Sequence, residues 1–333
     1  MSENKKKINV SSKKVSKSSN DNHDTSAGAQ KNIYKFTSLQ NHFSGSLDKN
    51  LKLKPTENIG VIFCRESQPL SGNPFYSRVL EGIEAEAVLN NYNLILQLLP
   101  NDYKGILPKM IRDIQVDGVI LVGVMCDDFI RQLAELNIKS VLVDSKIQFK
   151  KMSQVLIDNE YGGFQATQHL IGSGHKRIGF ISGDLERHSF NLRFKGYRKA
   201  LETNQIAYDE SLVVSGGIEK GYEHTMQLLK LDEPPTVVFS ANDINAIFGY
   251  KAISDAGLKI PDDISIIGFD DIQMAKISNP PLTTIRVYKE EMGSIAVRIL
   301  LQILRNEINK PITTMIPVKL IERNSVSKAK NKE

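Results

Sequence analysis

Asp270 and Asp271 stand side by side at the end of the apolar run 265–269, and the chain returns through Pro280-Pro281 and Thr283-Thr284. Two carboxylates can divide acid and base work, ligate a metal, or accept hydrogen bonds from the hydroxyls of a bound molecule. Neighbours on an extended chain point to opposite sides, which argues against a catalytic pair. Similar polar clusters recur at Asp158-Asn159, in "SGDLERHSFNLR" (182–193) and in "SAND" (240–243). Together they offer carboxylates, amides and guanidinium groups, the donor and acceptor mix that grips a polyhydroxy ligand. Any one Asn or Asp could instead cap a helix, and Asn242 and Asp243 stay open to both readings. No GxSxG, HExxH, GxxxxGK[ST] or strand-linked GxGxxG is present. His175 reads as a turn residue after Gly174, and His188 is a lone histidine near a ligand loop. The expectation is a binding protein with no catalytic residue, no metal and no cofactor.

The elements that position these clusters alternate. Short β-branched runs at 59–63, 92–99, 116–123, 139–145 and 154–159 read as buried strands. Helical spacing lies between them at 73–91, 104–115 and 127–137. The pattern then restarts, with helices at 160–174, 191–205, 219–231, 244–257 and 289–307, strands at 176–184 and 234–243, and a strand that begins at Ser265 and is expected to break at Gly268. The stretch 210–216 is extended, and 313–326 reads as one closing strand. Gly257 is placed to end its helix as a C-cap. Such alternation predicts an α/β fold of two doubly wound parallel-sheet lobes. Ligands in such sheets bind beyond the carboxyl ends of the strands, where all the polar clusters fall.

The chain has 333 residues, 41% hydrophobic and 24% charged, enough for two cores. Its two cysteines, Cys64 and Cys126, are far apart, which suits a reducing, cytoplasmic setting. No apolar run reaches the roughly 18 residues of a membrane helix. Residues 1–57 hold eleven Lys, no Arg and five acidic residues, so the net charge of +5 belongs to this tail. Rich in Ser, Lys and Asn, the tail is expected to be disordered.

In order along the chain come Ile59-Gly60-Val61-Ile62, Asn73-Pro74-Phe75-Tyr76, Val116-Asp117-Gly118, Ile157-Asp158-Asn159 and Gly174-His175-Lys176-Arg177-Ile178. Then follow Arg193 with Gly196-Tyr197, Asn242-Asp243, Gly268-Phe269-Asp270-Asp271 and Pro281-Leu282-Thr283-Thr284-Ile285. Over 58–326 this set resembles the effector-binding core of the LacI/GalR family of bacterial transcriptional regulators. The resemblance implies a periplasmic-binding-protein-like fold with three crossovers and a sugar or small metabolite in the cleft of a dimer. It divides the chain into a tail at 1–57 with a hinge remnant at 51–57, an N-terminal lobe (58–157 and 288–316) and a C-terminal lobe (158–287 and 317–327). It implies effector contacts from Asn73, Phe75, Asp158, Arg187, Ser189, Arg193, Asn242 and Asp270. The long loop at 63–76 resembles the branch that answers to maltose and related oligosaccharides.

One part of the family pattern is missing. Members begin with a helix-turn-helix headpiece and a hinge helix, and neither is recognisable in residues 1–50. Leu51 alone could match the hinge leucine. The sequence therefore supports a sugar-responsive DNA-binding regulator first, and a sugar sensor lacking its own DNA-binding segment second.

Overall fold

The computed structural model describes residues 54–65, 70–100, 103, 106–145, 152–217 and 219–330. Most of the tail, Leu51 with it, and part of the loop 63–76 lie outside these residues. The first sheet is built from β1 (Asn58–Arg65), β2 (Asn93–Pro100), β3 (Gly118–Val122), β4 (Ser140–Val143), β5 (Ser153–Ile157) and β11 (Thr313–Ile316). Its order is β11-β5-β4-β3-β1-β2, with every neighbour parallel. The second contains β6 (Ile178–Ser182), β7 (Val213–Ser215), β8 (Val237–Ser240), β9 (Ser265–Asp270), β10 (Thr283–Val287) and β12 (Val318–Ile321). Its order is β12-β10-β9-β8-β6-β7, parallel except for β12. Strands β3, β4, β6, β8 and β9 are buried along their whole length, which is why they read as continuous apolar runs.

The helices around the first sheet are α1 (Tyr76–Leu89), α2 (Lys109–Arg112) and α3 (Asp127–Glu135). The second sheet carries α4 (Asn159–Gly172), α5 (His188–Thr203), α6 (Gly221–Leu229), α7 (Asp243–Asp255) and α8 (Gln273–Ile277). Helix α9 (Lys289–Leu304) follows β10 of the second sheet but packs on α1, β3, β4 and β5 of the first. The chain thus passes between the sheets after β5, after β10 and between β11 and β12.

Glycines set the closest helix crossings. A Cβ on Gly82 of α1 would lie 1.9 Å from the Glu290 carbonyl oxygen, and one on Gly293 of α9 2.2 Å from that of Val79. In the second lobe α4 and α5 meet the same way, through Gly163 (2.2 Å from the Arg193 oxygen) and Gly196 (2.1 Å from the Glu160 oxygen).

Two expected elements differ. The helix expected over 104–115 is one turn, Lys109–Arg112, with Pro108 at its start in an extended conformation. The closing strand expected over 313–326 is two strands in different sheets, divided at Pro317, which has no N–H for a ladder. Gly257, at φ +76°, ends α7 as expected.

Candidate functional site

A cavity of about 510 Å³ opens where the carboxyl ends of the two sheets face each other. Its floor is organised by Arg193 on α5, which is 4% exposed. Arg193 Nε donates to Asn159 Oδ1 at 2.8 Å and Nη1 to the Ala241 oxygen at 2.6 Å. Its Nη2 lies 3.2 Å from Asp270 Oδ1, and its guanidinium carbon sits 3.7 Å from the centre of the Phe269 ring. The Gly163–Gly196 crossing brings the backbone of Arg193 against α4, whose first residue, Asn159, accepts from its Nε. A sequence-local feature thereby places a charge in the cleft.

The adjacent acids turn apart, as their spacing expects. Asp270 lines the cavity, while Asp271 accepts from Arg286 Nε at 2.6 Å and Arg323 Nη2 at 2.5 Å on the far side. Both hold positive φ, 110° and 52°, as does Asp144 at 53°. Non-glycine residues adopt such angles uncommonly, Asp and Asn more readily than most. Burial pushes the Asp270 carboxyl up, with Arg193 and Lys289 opposing. Burial also acts on Asp271, but the bonds from Arg323 and Arg286 outweigh it and hold that carboxyl low.

Thr283-Thr284, puzzling in the sequence, belong beneath this floor. Thr284 Oγ1 donates to Asp243 Oδ1 at 2.6 Å, and the Ile272 N–H to Oδ2 at 2.9 Å. Burial, with Asp270 nearby, raises Asp243 to about 8, the bonds from Thr284 and Ile272 opposing. Asn242 is the cap of α7, its Oδ1 accepting from the Asn245 N–H at 2.8 Å, and it also lines the cavity.

Of the other expected residues, Asn73, Phe75, Arg187 and Ser189 line the cavity. Asn73 Oδ1 also accepts from the Phe75 and Tyr76 N–H groups, both at 3.0 Å, fixing the start of α1. Asp158 does not line it. Its Oδ1 accepts from the Tyr161 N–H at 3.2 Å as the cap of α4, and Asn159 takes the place in the wall. His175 is buried, bonded to Thr236 Oγ1 at 2.9 Å and the Ser327 oxygen at 3.0 Å; burial lowers its pKa.

Sequence reasoning missed Asp144, Tyr76 and Lys289. Asp144 follows β4 directly, and the Tyr76 hydroxyl donates to its Oδ2 at 3.1 Å. Burial raises it to about 6, Arg193 and the Tyr76 bond opposing. The strand-end rule that singled out the other acids would have found it in "KSVLVDS" (139–145). Lys289, at the start of α9, is 4% exposed and donates to the Asp270 backbone oxygen, joining an element of the first lobe to the floor of the second. Nothing in its local sequence marks it. Among the described residues no group of three or more His, Cys, Asp or Glu could hold a metal ion, and no helix is long and apolar enough to cross a membrane.

Residues 167–326 match a family model described as a periplasmic binding protein-like domain. The ribose operon repressor of Haemophilus influenzae is 32% identical over 324 residues, covering 95% of each chain. The chain belongs to the LacI/GalR family. The HTH-type transcriptional repressor PurR of Yersinia enterocolitica, another relative, is 34% identical over 297 residues, 86% of this chain and 85% of that one. A LacI family transcriptional regulator from Enterococcus faecium, solved with bound ribose, superposes with a TM-score of 0.72 at 28% identity, over 82% of this chain and all of the other. As a LacI/GalR protein the chain is a transcriptional regulator, and both of the curated relatives named above are repressors. A match covering 95% of the chain is longer than the stretch from Asn58 to Glu333, so it takes in part of the first 57 residues.

Proposed function

We propose that this chain is a sugar-responsive regulator whose dimer changes its affinity for DNA when an effector occupies the cavity. The observation that carries the reading is the convergence of Asp144 from the first lobe with Arg193, Asn242 and Asp270 from the second on one cavity. These groups accept and donate in the pattern that sugar hydroxyls satisfy. Asn73, Phe75, Arg187 and Ser189 complete the proposed contacts. Support comes from the ribose named for a relative and for a similar structure. A cavity of about 510 Å³ has room for more than a single small ring, which favours an oligosaccharide of maltose size as the finer reading. Lobe boundaries near residues 157, 287 and 317 belong to the same proposal and are supported by the chain's changes of sheet.

The effector acts because it touches both lobes and so favours one arrangement of them. Dimerisation is supported by exposed apolar side chains, Phe248 on α7 with Met274 and Ile277 on α8, beside a groove of about 700 Å³ between α1 and those helices. The match into the first 57 residues favours a chain that contacts DNA itself over a sensor without a DNA-binding segment.

The test is gel-shift binding of the full chain to DNA from upstream of its own gene, over a range of salt concentrations, with and without maltose, maltotriose and ribose. Salt-dependent binding that a sugar alters supports the reading. A sugar that raises the melting temperature while no DNA is bound points to the sensor alternative.

A further inference from the structure

The acidic side chains lining the cavity are Asp127, Asp144, Asp184, Glu186 and Asp270; the guanidinium groups are Arg187 and Arg193. Lys289 lies behind the floor, bonded to backbone oxygens of Asp270 and Val287. A cleft concentrates the field of the charges that line it, and here acidic side chains outnumber basic ones. The two deep acids differ. Asp270 has Arg193 for its ion pair, whereas among the described residues Asp144 forms no ion pair at contact distance and only feels the Arg193 charge from further off. Its bond from the Tyr76 hydroxyl comes from a neutral donor. Asp270 is 8% exposed, and its Oδ1 is buried with no well-aligned hydrogen-bond donor, Arg193 Nη2 lying beside it. The two carboxylates come from opposite lobes and face one cavity, Asp270 with an oxygen that lacks an aligned donor and Asp144 bonded to the neutral Tyr76 hydroxyl.

We infer that the effector carries a protonated amine held by Asp144, with a neighbouring hydroxyl donated to Asp270, so that an amine-bearing sugar is selected and a sugar phosphate rejected. This rests on the sugar-effector reading and narrows it, moving the expected ligand away from an uncharged maltose-like sugar. The ammonium goes to Asp144 because Arg193 already serves Asp270. A ligand bound in this way joins the ends of β4 and β9, and thus the two lobes.

The test measures binding of the full chain to glucose, glucosamine and glucose 6-phosphate, and to galactose and galactosamine, by melting temperature and calorimetry at pH 7. Each hexosamine is expected to bind about tenfold tighter than its neutral parent, the difference between a charge-assisted and a neutral hydrogen bond. The phosphate is expected to give no shift. Asp144→Asn should bring the hexosamine down to the affinity of its neutral parent. Tyr76→Phe, which leaves Asp144 with one donor fewer, should widen the difference. A hexosamine advantage that persists in Asp144→Asn overturns the assignment. Neutral sugars binding as well as or better than hexosamines, or the phosphate binding best, overturns the inference while the sugar reading stands. No shift with any of these sugars, with maltose, maltotriose or ribose included, removes both.

Discussion

Arg193 is held by an amide, a backbone carbonyl, a carboxylate and an aromatic face at once. Removing it leaves Asp270 as a buried charge without its ion pair, which typically costs about 3–5 kcal/mol. Arg193→Ala is therefore expected to lower the urea midpoint as well as effector affinity. In the double variant Arg193→Ala/Asp270→Ala the loss is expected to be smaller than the sum of the two single losses; additivity in urea unfolding would sink this account of the pair. Asp243 supplies a pH test. Its folded pKa of about 8 lies above the unfolded value, so the folded state binds the extra proton. That contribution is present at low pH and is lost as pH rises from about 4 through about 8. Asp243→Asn copies the protonated form, so its melting temperature relative to wild type should climb between pH 5 and pH 9. A difference that stays flat over that interval would show that Asp243 does not carry the proton.

At the level of elements, the two lobes use one device: a glycine on each of two helices, letting backbones touch. In the second lobe this crossing also sets the position of Arg193. Gly163→Ala would drive a Cβ against the Arg193 carbonyl, so α5 must shift; a loss of about 1–3 kcal/mol is expected, together with weaker effector binding. Gly172, at the end of the same helix, has open space where a Cβ would stand, with no atom within 4 Å, so Gly172→Ala should be neutral or stabilising by about 0.4–1 kcal/mol. Equal effects at the two sites, read by chemical denaturation, would refute the packing argument. The alternation of strands and helices was legible because fully buried strands are continuous apolar runs, and Asp270, Arg193 and Asn242 were legible because they sit at strand ends or in motifs beside them. Asp158 misled because a cap and a ligand contact call for the same residue type. Lys289 was hidden because its partner is a backbone oxygen nineteen residues earlier, on another element. The division of 313–326 was hidden because both of its halves have strand character and only Pro317 separates them.

Across the whole molecule, the exposed Phe248, Met274 and Ile277 make self-association testable without any ligand. Ile277→Asp, at a position 72% exposed, is expected to leave the melting profile of the fold intact and, on the proposal that this face pairs two copies, to shift sedimentation from dimer to monomer. A wild-type chain that sediments as a monomer removes the proposed dimer, and a dimer unchanged by Ile277→Asp removes this face as its contact. The order of the strands carries a further consequence, for how the protein is made. The first sheet is closed by β11 and covered by α9, both near the end of the chain, although its other strands are complete by Ile157. The second is closed by β12, later still. As the chain leaves the ribosome, then, neither lobe can finish before almost all of it has been synthesised. Strand β5 must wait, its edge exposed, for a partner that pairs Gln154 with Thr313 far downstream. A nascent chain stalled before β11 should hold two unfinished lobes, and this protein should depend on chaperones during synthesis more than one whose lobes are each continuous in sequence.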